Sequence, residues 1–72
     1  MTKYYMVGAV PVKVVRQEGG QTAILAFNVH LGRFESNSRY YSMIRRDDTG
    51  LVRQVTEEEF EFAVEQLRQK AS

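Results

Sequence analysis

The sequence predicts an α+β fold: an antiparallel four-stranded meander, β-β-β-β-α in order, with one C-terminal helix packed on one sheet face. Three observations lead there. Residues 22–31 alternate with a period of two, glycines at 19, 20, 32 and 50 punctuate the chain, and after Thr56 the apolar period lengthens to that of a helix.

Taken in order, the valine- and tyrosine-rich run from Tyr4 to Arg16 favours the pleated surface of a strand. Met6, Val10, Val12 and Val14 fall on one side of it, and Tyr5, Val7, Ala9 and Val15 on the other, so both sides are apolar. Pro11 has no amide hydrogen for a sheet ladder, which predicts an edge strand, or one bent or bulged near Gly8 to Pro11. Gly19 and Gly20 in "RQEGGQT" can take the positive φ of a hairpin turn. The next strand, Thr22 to Leu31, is expected to be central: Ala23, Leu25, Phe27, Val29 and Leu31 face a core, and Thr22, Ile24, Ala26, Asn28 and His30 lie opposite. Phe34, between Gly32 and "ESNS", is expected to plug the core's edge. Tyr40 to Arg45 reads as a third strand and Leu51 to Val55 as a short fourth. They are joined by "RRDDTG", where Asp47 or Asp48 starts a turn and Gly50 closes it.

The last segment opens on a reciprocal cap. Thr56 accepts from the third helical amide while Glu59 reaches back, and Glu57, Glu58 and Glu59 set negative charge at the positive end of the helix dipole. Phe60, Ala63, Val64 and Leu67 recur at i, i+3, i+4 and i+7, the stripe that lies on the sheet. Phe62 falls off that stripe, so it is expected to meet the sheet edge or a second protomer.

Residues 1–72 are read as one small domain, with no repeat, linker or low-complexity tract. With 43% hydrophobic and 26% charged residues, the composition is that of a globular chain rather than a disordered one. The lack of cysteine excludes disulfides, a thiol nucleophile and thiolate zinc sites. No run approaches the 18 or so apolar residues of a membrane span, and "MTKYYMVGAVPVKVV" has neither a basic leader nor a long apolar core, so a cytoplasmic location is expected.

Charge is uneven along the chain: residues 1–56 hold eight Lys or Arg against four acids, while residues 57–72 hold two against five. The sheet is therefore expected to be basic and the helix acidic.

No catalytic constellation emerges. His30 is the only histidine, with no thiol to activate and no second histidine for a metal, and the serines at 36, 38 and 42 lack a nucleophile-elbow setting. The expectation is a non-enzymatic module that takes no cofactor and no metal. With one helix covering one side, the other sheet face carries mixed apolar groups, which favours an accessory or protein-interaction role through that face or an edge strand, as a homodimer or with another protein. Tyr5, Val7, Tyr40 and Phe62 are its candidate interface residues.

The alternative is low-specificity nucleic-acid binding around "RYYSMIRR", with Arg39, Tyr41, Arg45, Arg46 and Arg53 supplying cations and a stacking ring. As a strand, this segment splits its arginines between two faces, and Asp47 and Asp48 follow directly, both of which weaken the alternative. A third reading, a small-molecule sensor or enzyme built on His30 with Tyr40 or Tyr41, requires a concave pocket around those side chains.

Overall fold

The computed structural model describes residues 1–46 and 50–71, in the order β1 (Thr2–Val7), β2 (Val10–Arg16), β3 (Thr22–Asn28), β4 (Arg33–Ser36), α1 (Arg39–Arg46), β5 (Val52–Val55) and α2 (Glu57–Ala71). All strands join one antiparallel sheet in the order β4-β3-β2-β1-β5. The fold is α+β with a C-terminal helix, but among the described residues it has five strands rather than four and two helices rather than one.

The first correction concerns Tyr4 to Arg16, which is a hairpin and not one bent strand. Val7 pairs with Val10 across a two-residue turn, and Gly8 takes the first turn position with φ 61°, where a side chain would be strained. Pro11 consequently sits in an interior strand. The register accommodates it: pairing to β3 begins at Val12, one residue later. The β2–β3 hairpin falls where Gly19 and Gly20 predict it, closed by the Gln17 amide donating to the Gln21 carbonyl at 2.8 Å.

The strand expected to reach Leu31 stops at Asn28. There the Asn28 Oδ1 accepts from the amides of His30 (2.9 Å) and Leu31 (3.2 Å), a side-chain turn that competes with the ladder. Phe34 is a residue of the short strand β4 as well as a core plug, pairing with Phe27 in register.

The largest correction is Tyr40 to Arg45, which is helical. Asn37 caps α1, its Oδ1 accepting from the Arg39 amide at 3.1 Å, and Arg45 and Arg46 lie in the last turn, where the helix dipole favours cations. Tyr40, Met43 and Ile44 recur at i, i+3 and i+4 and pack on a cluster of Val7, Val12, Ile24 and Ala26. The expected turn starter, Asp47 or Asp48, lies outside the described residues.

By register, Tyr5, Val7, Val12, Val14, Ile24 and Ala26 share one sheet face, and Tyr4, Phe27, Phe34 and Val55 share the other. Helix α1 covers the first and α2 the second, where Phe27, Phe60 and Val64 are buried with Leu67 alongside. The face expected to be bare is thus covered in part by the chain's own segment, and Val12 is fully buried. Helix α1 is also the connection that carries the chain from β4 at one edge to β5 at the other.

The second core is aromatic. Tyr4 and Phe60 have ring centroids 4.8 Å apart, Phe34 stacks on Phe60 at 5.7 Å, and Phe27 meets Phe34 edge-on at 5.2 Å. Arg68 ties the far end of α2 down, donating to the Gly32 carbonyl at 2.9 Å with its guanidinium 5.2 Å from the Phe27 ring. The helix starts as the sequence dictates: the Glu59 amide donates to Thr56 Oγ1, and Glu59 Oε1 accepts from the Thr56 amide, each at 3.1 Å.

That cap makes part of the stability acid-sensitive. The Thr56 amide, then its hydroxyl, hold the Glu59 carboxyl below the usual glutamate range, and Arg53 adds to this. A carboxyl lowered by folding contributes above the pH at which it titrates in the unfolded chain, and that contribution disappears as pH falls through the folded value. Glu59→Gln is therefore expected to flatten the acid limb of a urea-melt stability profile below about pH 5, with the wild type losing more stability over the same interval.

Candidate functional site

Because α1 is a helix, its residue types sort by side. Tyr40, Met43 and Ile44 turn to the sheet, while Arg39, Tyr41, Ser42, Arg45 and Arg46 are exposed on the outer side. The split expected of a strand is replaced by one face that gathers all three arginines. Tyr41 and Arg45 are one turn apart, with the guanidinium over the ring at 5.6 Å from its centroid, within the range of a cation–π contact.

This face continues onto the sheet. Eight residues of helix span about 12 Å, less than the ~19 Å across five strands, so α1 leaves part of the sheet face open. A groove of about 310 Å³ opens there, lined by Lys3, Tyr5, Arg16, Tyr41, Ile44 and Arg45 among others. Lys3 and Arg16 belong to it by register: they sit two positions along from Tyr5 and Val14 on the same face. Among the described residues, no acid lines the groove. Tyr41 and Arg45 also border an adjoining hollow with Ser42 and Arg46, so the two run together along the outside of α1.

Four of the five residues expected to bind nucleic acid are therefore on one helix face. Arg53 is not: it lies on the opposite sheet face, beside Glu58 and Glu59 of α2. Lys3, Tyr5 and Arg16 are additions that sequence reasoning missed. Their alternation with Val14 was visible, but which helix would border them was not.

The residues expected to form a protein interface do not form one surface. Val7 is 5% exposed and lies in the core under α1, Tyr40 packs on that core from α1, and Tyr5 is half-buried at the groove. Phe62 stands apart on α2, 67% exposed, over a second groove of about 420 Å³ with Met6, Val55 and Ala63.

His30 lies in the turn after β3 rather than on a strand, and borders a shallow hollow of about 330 Å³ with Glu35 and Tyr40. The concavity that a small-molecule site requires exists, but its acid is otherwise engaged: Glu35 accepts from Asn28 Nδ2 at 3.1 Å and lies 3.9 Å from Arg33. Among the described residues, the His30 ring has no hydrogen-bond partner, no three His, Cys, Asp or Glu side chains could hold a metal, and no helix is long and apolar enough to cross a membrane. No protein-family model, curated protein or solved structure matches the chain.

Proposed function

We propose that the protein is a non-enzymatic binding module that takes single-stranded nucleic acid along the outer side of α1 and the adjoining sheet groove. One observation carries the reading: residues 39–46 fold as a helix, which brings Arg39, Arg45 and Arg46 to one side and sets Tyr41 and Arg45 beside Lys3, Tyr5 and Arg16. Cations spaced along a groove neutralise successive phosphates, and exposed rings offer stacking surfaces worth about 1–3 kcal/mol per base without demanding a sequence. Tyr41 is 42% exposed, enough ring for one base, with Arg45 supplying a second flat surface. The acid-rich helix α2 lies across the sheet from this groove, so its glutamates do not line the path of the strand.

The test is a fluorescence-anisotropy titration with labelled single-stranded oligonucleotides. Three phosphate contacts predict a log–log salt slope of about −2, so raising salt from about 50 to 200 mM should weaken binding roughly 18-fold. Arg16→Glu with Arg45→Glu is expected to abolish binding at low salt, and Tyr41→Ala to weaken it about tenfold with the salt slope unchanged. Absence of binding at low salt, or binding indifferent to the double reversal, overturns the reading. A protein-interaction role is the second reading, supported by the exposed ring of Phe62.

A further inference from the structure

We infer that the groove between α2 and β5 is a self-association surface, occupied by Phe62 of a second copy of the chain related by a two-fold axis. This goes beyond nucleic-acid binding and stands on a different side of the molecule. Phe62 follows Phe60 by two positions, about 200° around the helix, so while Phe60 fills the core Phe62 must face away from it. It does not reach open solvent alone. Beside it lies an apolar hollow floored by Met6, Val55 and Ala63, a knob next to a hole on one patch.

A two-fold contact requires such self-complementarity, because each copy presents the same patch to the other. The charges meet the same requirement. Arg53, Glu58 and Glu59 border the one groove, so a half-rotation about an axis between Arg53 and the glutamates sets each cation against the acids of the other copy. A partner of a single charge sign would instead oppose either Arg53 or the two glutamates with its like. The patch also adjoins β5, the outermost strand on that side of the sheet. The opposite sheet face, with α1 and its groove, stays open in both copies, so the pair carries two basic grooves on one particle.

The groove has seven described lining residues, against the roughly 20–30 a side of a stable complex, so the dimer is expected to be weak and concentration-dependent. In sedimentation equilibrium, the full chain should move from 8.3 kDa toward twice that mass as concentration rises from about 10 to 500 μM. Phe62→Ser removes both knobs at once and is expected to weaken association on the order of a hundredfold, with the circular dichroism spectrum unchanged because the ring is exposed. Arg53→Glu and Glu58→Arg should each prevent association alone, and mixing the two variants should restore it, because both cross-contacts then pair opposite charges. A chain that stays monomeric at 500 μM overturns the inference. So does self-association that survives Phe62→Ser, or a failure of the mixed variants to pair.

Discussion

Phe60→Ala is expected to remove a large share of the stability of this chain, about 3–5 kcal/mol. A chain of this length has a total stability of about 4–11 kcal/mol, at roughly 0.05–0.15 kcal/mol per residue. Removing a buried phenylalanine costs about 3–5 kcal/mol, since the lost transfer energy is joined by the cavity left behind. Phe60 is 3% exposed and touches both Tyr4 and Phe34, so its loss opens a gap between strands as well as beneath α2. Urea melts followed by circular dichroism should show the midpoint moved to markedly lower urea and the folded baseline shortened. Phe62→Ala, two positions away on the same helix, should shift the midpoint of dilute protein by less than about 0.5 kcal/mol. A similar cost for both substitutions would mean that Phe60 does not anchor the second core.

The other large effect is expected at α1. A helix of eight residues is far too short to persist alone in water, so α1 exists only through what it packs on. Ile44→Asp replaces a half-buried apolar contact on the cluster of Val7, Val12, Ile24 and Ala26 by a carboxylate, and the cations Lys3, Arg16 and Arg45 of the adjoining groove offset only part of that loss, a change expected to cost about 1–3 kcal/mol. Amide exchange should rise in residues 39–46 before it rises in α2, because α2 has its own aromatic core. Dye binding to the uncovered sheet should increase. Oligonucleotide affinity should fall at the same time, both because α1 is released and because Ile44 lines the basic groove, where the substitution sets an acid among the cations. Retention of full affinity with α1 released would show that the helix does not organise the cations.

Much of the fold was legible because its signals were local. The Thr56–Glu59 cap and the Phe60, Ala63, Val64, Leu67 stripe lie within a dozen residues of one another, and Gly19–Gly20 can serve few purposes other than a turn. The failures share a cause. Tyr40, Tyr41 and Ile44 are strand-favouring types, and over a window of eight residues propensity outweighed the weaker evidence for a helix: Asn37 as a cap, and Tyr40, Met43 and Ile44 at helical spacing. That one error removed the second helix, left a sheet face bare, and scattered the arginines of the basic face. The hairpin at Gly8 was missed for a related reason. Val7 and Val10 look continuous with their flanking residues, and Pro11 drew attention away from a glycine whose φ requirement ends the strand. The groove of Lys3, Tyr5 and Arg16 with Tyr41 and Arg45 depended on tertiary placement, which no spacing in the sequence encodes.

The pairing of Tyr4 with Val55, and the ring of Phe60 lying against Tyr4, bear on when this protein can fold as well as how. The first strand waits for partners made some fifty residues later, so a nascent polypeptide can assemble its early hairpins during synthesis but cannot lock them. Until Val55 and Phe60 have been made, the amino-terminal strand has an open flank and an uncapped ring, and a growing chain in that interval is the form most exposed to chaperones and proteases.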